Sequence, residues 1–478
     1  ENGTKLSNTK IEGIDQKDCF VRFRVEGTGR ESRTWRDETL FDSFILYNKA
    51  CHKEDQLCYA TGTWIPCTAK HPNKIRNSGD KAKIISANDE TGFSYLGRFV
   101  DKDQFCAVGY EVSEKAHDAL KWLIQRQGWY KGSYSIVSWE RHLAELPPLV
   151  TDSIHMLSPF DDEEIKEPPK TGQAFAKELN KAMNGYRAKL DSSAKVTVMG
   201  LDSAVAGKGR LSIVLYRELS GSRFLDHIEK WHADMAWYFV EWIKKKPVTV
   251  VFAPSPTRIA TTLYGTEQNE KIVAKDDVVR QTVDRLIPSI IDAKPIPKDL
   301  VRQAVSRASF PQAYKKTYNW EEVLNVACAL IRKGAIEKNE GKITKKEDYL
   351  MSLDKTSTDR NYLYGRLLAI ADIVEQRTFE KDDERQTNAK RYMSAFAAKP
   401  FTTWKIIEER LQPYLDKSKP NNRKFYNMLL NEISDLFISI EDYANDKKLD
   451  GKYLLGYHCQ VSDLYKGKNK DEEMKEEE

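Results

Sequence analysis

The chain has no apolar run near the roughly 18 residues a membrane-crossing helix needs, and nothing at its start has the form of a signal peptide. Both absences argue against membrane and export readings. Its seven cysteines, Cys19, Cys51, Cys58, Cys67, Cys106, Cys328 and Cys459, are odd in number and scattered. They make no disulfide framework and suit a reducing cytoplasm. No C-x2-C or H-x3-H pair occurs, so the close ligand pair of a structural zinc knuckle is missing. Cys51, His52 and His71 are what could complete four ligands with Cys58 and Cys67; buried or incidental thiols are the reading preferred, with no metal and no cofactor expected.

Catalytic signatures are equally sparse. In "DSAVAGKGR" Asp202 stands where a phosphate loop has its leading glycine, and Gly209 replaces the hydroxyl residue that holds magnesium. His227 and His232 lie five apart, on different helix faces. His117-Asp118 reads as helix surface, and no nucleophile elbow frames a serine. The net charge is only +4 over 478 residues, so nucleic-acid binding has to be argued from local patches.

What is present is enough apolar residue, 40%, for a sizeable core, and enough length for about three domains. The fold class expected is α+β. Residues 1–170 read as strand-rich: Val21, Phe23 and Val25 alternate with Arg22 and Arg24, and short apolar stretches recur in "AKIISA", "QFCAVGY" and "SYSIVSW". One helix interrupts them, with Ala116, Leu120 and Leu123 on its apolar face. "SPFDDEEIKEPPKTG" reads as a linker or exposed loop. Residues 171–345 read as a small mixed α/β region: a helix, the strand "KVTVMGLDSA" with its hairpin partner "GRLSIVLYREL", a helix, and the strand "KPVTVVFAP". That order is compatible with a ferredoxin-like sheet. A basic helical segment follows, with eight Lys/Arg against three Asp/Glu over residues 294–333.

Residues 346–470 read as an all-α bundle of four or five helices. Leu363, Leu367, Ile370 and Val374 form one apolar stripe, and Trp404, Ile407, Leu411 and Tyr414 a second. Phe425, Leu429, Ile433, Leu436, Ile440 and Tyr443 form a third, and Leu454, Tyr457, Val461 and Leu464 a fourth. Residues 471–478 read as an acidic solvated tail.

The strongest lead toward function is "KHPNKIRNSGDKAK". Lys70, Lys74, Arg76, Lys81 and Lys83 reach far enough for phosphates, while Asn73, Asn77 and Ser78 suit base edges. Trp64, Phe93 and Tyr95 stand near enough in sequence to support the loop or stack on a base. A solvated loop over a core is the alternative. Lys208 and Arg210 offer a second basic turn, for which a plain hairpin turn is the alternative.

Four stretches carry a family resemblance: "LCYATGTWIPCTAKHPNKI…GDKAKIISAN", "VTVMGLDSAVAGKGRLSIVLYREL", "LIPSIIDAKPIPKDLVRQAVSRA", and "YLYGRLLAIADIVE…TNAKRYMSAFAAKPFTTW" with "YLLGYHCQ". Spread over roughly residues 20 to 465, they resemble the large subunit of the type I-C CRISPR Cascade complex. The resemblance implies a non-catalytic, cytoplasmic protein of antiviral defence. Its implied partners are crRNA, bound at the 5′ end, target double-stranded DNA, the Cascade backbone subunits, a small helical subunit and a helicase–nuclease recruited in trans. It implies checking of the protospacer-adjacent motif and stabilising of the R-loop, a division in which guide pairing reads the long sequence.

It also implies that the C-terminal region is made separately as the small subunit, for which Met351 is well placed. Arg366, Lys390, Arg391, Lys399 and Lys405 on that region are candidates for a displaced-strand track. Relatives carry a longer N-terminal portion, and the chain starts at Glu1 without methionine, so upstream residues are expected to be missing. The competing expectation is a stand-alone metal nuclease built from carboxylates such as Asp101, Asp103, Asp161 and Asp162.

Overall fold

The computed structural model describes residues 14–15, 18–27, 31–51, 55–68, 70–86, 107–157, 168–191, 193–338, 351–380 and 385–476. The chain divides into two compact units, Glu1–Lys121 and Trp122–Glu478.

In the first unit, helix α1 (Glu38–Cys51) is followed by a small antiparallel hairpin of β1 (Asp55–Leu57) and β2 (Trp64–Pro66). Helix α2 (Tyr110–Gln127) begins in this unit and crosses its boundary. The alternating "VRFRV" stretch makes only one bridge, Arg24 to Arg33, with Val21 and Phe23 exposed. Alternation yields a strand only where one face has something to be buried against. "AKIISA" forms no strand over its described residues, and in "QFCAVGY" Gly109 bridges Cys67 before Tyr110 opens α2. Helix α1 was not legible, because it buries none of its residues and so has no periodic inner face. On α2 the buried positions are Ser113, His117, Leu120, Leu123 and Ile124, while Ala116 faces outward, which corrects the surface reading of His117.

The second unit opens with a four-stranded antiparallel sheet in the order β3 (Trp129–Lys131), β4 (Tyr134–Glu140), β5 (Lys195–Asp202), β6 (Ser212–Ser220). The β5–β6 hairpin is the one expected from the sequence. The sheet joins strands from both sides of residue 170. Helix α3 (Gly172–Lys189) precedes β5, and α4 (Gly221–Met235) packs on β5 and β6. Strand β7 (Trp237–Ile243) pairs with β8 (Lys246–Phe252) in a separate hairpin, so the ferredoxin-like order is not realised.

Helices α5 (Pro256–Tyr264), α6 (Asp276–Ile291), α7 (Lys298–Ala308) and α8 (Thr317–Lys338) follow, with the short hairpin of β9 (Thr266–Gln268) and β10 (Lys271–Val273) after α5. Among the described residues, no helix is long and apolar enough to cross a membrane.

The C-terminal bundle is built on α9 (Arg360–Gln376), which packs against α10 (Asn388–Ala398), α11 (Pro400–Lys417), α12 (Pro420–Asp435) and α14 (Lys452–Glu476). The third stripe does not continue as one helix. It breaks after Asp435 and restarts as the single turn α13 (Ile440–Tyr443), where the Ser439 hydroxyl accepts the Asp442 amide and caps the new turn. On α12 the buried face is Tyr426, Leu430 and Ile433, one residue round from Phe425 and Leu429. The backbone of α14 stays helical to Glu476, through most of the stretch read as a tail.

Candidate nucleic-acid interface

The β1–β2 hairpin leads into the basic loop, and that loop is a folded turn. Its centre is Asp80, fully buried. The Arg76 Nε donates to Asp80 Oδ2 at 2.8 Å and its Nη2 to Oδ1 at 2.9 Å, and the Ala82 amide donates to Oδ1 at 3.0 Å. Burial pushes the Asp80 carboxyl up, but the Arg76 guanidinium and the Ala82 amide outweigh it and hold the group below its usual range. The backbone closes around this pair: the Lys74 amide donates to the Asp80 carbonyl at 2.8 Å, and the Gly79 amide to Asn77 Oδ1 at 2.9 Å. Ile75 and Ala82 are buried beneath it.

The fold therefore sorts the predicted cations. Arg76 points inward with its side chain fully covered, which removes it from the phosphate-reaching set. Lys70, Lys74, Ser78 and Lys81 remain exposed; Asn73, Asn77 and Lys83 are half-buried. Lys74 sits at φ 58°, a left-handed conformation that a lysine rarely adopts. Trp64 is well exposed at the start of β2, whereas Phe93 and Tyr95 lie outside the described residues. The organising role of Asp80 was missed; its signal was an aspartate four residues after an arginine across an Asn-Ser-Gly turn.

His71 is not among the loop's cations. It is buried, its Nδ1 lies 2.9 Å from Ser113 Oγ, and burial, then His117 and Lys83, lower its pKa to about 4. In the second unit His232 is likewise buried, and loss of solvation lowers it to about 4. Unfolded histidines take up protons near pH 6.5, while these two refuse them until about pH 4. Stability should hold above pH 6.5 and fall as the pH drops through that window. Denaturant titrations at stepped pH should show the fall, with a shallower pH dependence in His71→Asn and His232→Asn.

Cys58 is buried at the β1–β2 turn. Burial pushes its thiol up, but the Thr61 hydroxyl and the amides of Gly109, Thr61 and Ala60 donate to the sulfur and bring it to about 7. Cys67 is half-buried and Cys51 exposed, while His52 and Cys106 lie outside the described residues. Among the described residues, no three or more His, Cys, Asp or Glu are grouped to hold a metal ion. Asp101, Asp103, Asp161 and Asp162 lie outside them.

The second unit places the other candidates. Lys208 and Arg210 are exposed at the β5–β6 turn, where Gly207 and Gly209 take φ of 70° and 79°. Of the displaced-strand residues, Arg391, Lys399 and Lys405 are exposed. Arg366 and Lys390 are not: α9 is surrounded by helices, and Arg366 donates from Nε to Gln460 Oε1 at 3.0 Å. Lys390 pairs with buried Asp372 at 3.4 Å and lies over the Trp320 ring. Both leave the track. Arg410, stacked on Tyr392 and exposed on α11, is a basic residue the sequence reading passed over.

No curated protein matches the chain. A family model described as CRISPR-associated protein (Cas_Csd1) matches residues 2–465, nearly its whole length and the span over which the four stretches resemble the type I-C large subunit. Family membership brings with it a part in CRISPR defence, within a crRNA-guided complex of several subunits. The chain belongs to the Csd1 family of CRISPR-associated proteins.

Proposed function

We propose that this protein is the non-catalytic large subunit of a type I-C surveillance complex, acting in the cytoplasm, and that the outer face of loop 70–83 lies against duplex DNA at the protospacer-adjacent motif. The observation that carries this reading is the sorting of the loop. An internal Arg76–Asp80 pair fixes the backbone while Lys70, Lys74 and Lys81 stay in solvent around Asn73, Asn77 and Ser78. A preformed cationic turn spends little ordering entropy on docking to phosphate, and its short amides supply base-edge contacts. Each phosphate engaged on B-DNA releases about 0.9 counterion. Replacing Lys70, Lys74 and Lys81 together by alanine should therefore lower the salt slope of target binding by about two to three units. An unchanged slope and affinity in the assembled complex would remove the loop from the interface.

The same reading assigns Arg391, Lys399 and Lys405 to the displaced strand, and recruitment of the helicase–nuclease to the opened complex. Helix α1, with Phe44, Leu46 and Tyr47 each about two-thirds exposed, supports assembly, since apolar surface of this kind suits a subunit contact. Four helices of the bundle, α10, α11, α12 and α14, pack on α9, which suits separate production from Met351. A fragment of residues 351–478 should be helical by circular dichroism. It should also bind a dye for apolar surface, because Tyr453, Leu454 and Tyr457 on α14 would lose Ser309, Cys328 and Trp320. Met351→Leu should abolish a small species in the intact mass of the expressed complex; a species that persists unaltered would refute this start.

A further inference from the structure

The β7–β8 hairpin is anchored at one end and bare at the other. At its base Trp237, Phe239, Val250, Val251 and Phe252 are buried, and Phe239 stacks on Phe252 at 4.5 Å beneath the Arg258 guanidinium. Toward the tip, Val240 and Trp242 point to one side, with their cross-strand partners Thr249 and Pro247. Trp242 is 74% exposed, an unusual position for the largest apolar side chain.

The tip itself reads Lys244-Lys245-Lys246, all exposed. Among the described residues none of the three has an ion pair, and the hairpin's one acidic residue, Glu241, is turned to Arg258 at 2.8 Å, a guanidinium it shares with Asp152 and Glu322. Lys244 and Lys245 occupy the two turn positions at φ 50° and 66°, where asparagine and glycine sit without strain. The similar turn between β9 and β10 uses Asn269 and Glu270 at φ 48° and 63°. Two lysines in such a turn therefore bring strain and mutual repulsion without a structural return, which points to a ligand.

We propose that this tip binds single-stranded nucleic acid, an unpaired base stacking on Trp242 beside the Pro247 ring while Lys244, Lys245 and Lys246 engage the adjoining phosphates. The pairing of an exposed aromatic with a cationic groove is what sequence-tolerant single-strand binding requires. This inference rests on the nucleic-acid reading above, and it assigns a site in the second compact unit, whereas loop 70–83 belongs to the first. The strand is the displaced DNA or an unpaired part of the guide; both present the same bases and phosphates.

The test is fluorescence anisotropy of the full chain with labelled oligo(dT) and oligo(rU) at several salt concentrations. Trp242→Ala should weaken binding about tenfold, the scale of one lost stacking contact, and Trp242→Phe should restore most of it. Alanine at Lys244, Lys245 and Lys246 together should lower the salt slope by about two, at about 0.7 per single-strand phosphate. These side chains are exposed, so the melting temperature should stay put. Stronger binding to oligo(dT) assigns the displaced strand, and stronger binding to oligo(rU) the guide. Wild-type affinity and slope in both variants would overturn the hairpin site while leaving the reading of loop 70–83 intact. No binding by the wild-type chain to either oligonucleotide would likewise overturn the hairpin site, whereas the loop reading fails only on its own test, an unchanged salt slope in the assembled complex. Loss of binding to phosphatidylserine vesicles in Trp242→Ala, with oligonucleotide binding unaltered, would reassign the tip to an anionic membrane.

Discussion

Asp80→Ala should destabilise the basic loop by about 3–5 kcal/mol, the usual cost of removing one partner from a buried ion pair. The cost arises because the Arg76 guanidinium, with no exposed side-chain surface, would be left charged in the interior without its carboxylate. Arg76→Ala should be comparably harmful for the converse reason, leaving Asp80 with only backbone donors, the amides of Ala82 and of residue 76 itself. Replacing both, as Arg76→Met with Asp80→Leu, should recover much of the loss, since well-packed apolar pairs often match buried ionic ones. Hydrogen exchange over residues 70–86 reads this locally, where a whole-chain melting temperature would dilute it. If Arg76→Ala instead leaves exchange unaltered and lowers the salt slope of DNA binding by about one unit, Arg76 is a phosphate contact and the clamp is misassigned.

Gly365→Ala should cost about 3 kcal/mol or more, at the upper end for overpacking, because the obstacle is backbone. Helices α9 and α14 cross with their main chains in contact. A β-carbon on Gly365 would fall 1.9 Å from the Tyr453 carbonyl oxygen and 2.8 Å from the Tyr457 nitrogen. The approach is reciprocal: one on Gly456 would meet the Tyr362 carbonyl oxygen at 2.1 Å. No rotamer change relieves either clash, so the helices must separate, opening the interior around Tyr362, Tyr453 and Tyr457. Gly334, also within a helix, is the control. Its nearest neighbour would be Ile296 Cδ1 at 3.8 Å, and Gly334→Ala should stabilise by about 0.5–1 kcal/mol through helix propensity. Urea denaturation of the full chain distinguishes them. A Gly365→Ala variant as stable as wild type would mean the two helices are not in backbone contact.

The parts of this fold that were legible in sequence are those where one physical period dominates. The stripes on α9, α11 and α14 announced helices because a packed helix needs an apolar face every three to four residues. The β5–β6 hairpin was legible because two apolar runs flank a turn containing Gly207 and Gly209, both at positive φ. The extent of burial on α9 was not, since Arg366, Asp372 and Glu375 interrupt the apolar positions. Each is buried and bonded to another part of the chain.

The same difficulty governed the site. Composition shows where cations cluster, but not which of them a carboxylate several residues away turns inward. Arg76 and Asp80 are one instance, Lys390 and Asp372 another. The glycines of "YLYGRLL" and "YLLGYHC" stood in the stretches that carried the family resemblance. Their role as the crossing point of α9 and α14 emerged only from the distance between main chains.

The measurement that bears most directly on the account is target binding and strand integrity in the reconstituted complex, assembled on crRNA with and without this chain. The account predicts that tight binding of duplex carrying the protospacer-adjacent motif requires the chain. It also predicts that the DNA stays whole in Mg²⁺ or Mn²⁺ until the helicase–nuclease is added. Cleavage by the purified chain alone, tracking with its chromatographic peak, would contradict it.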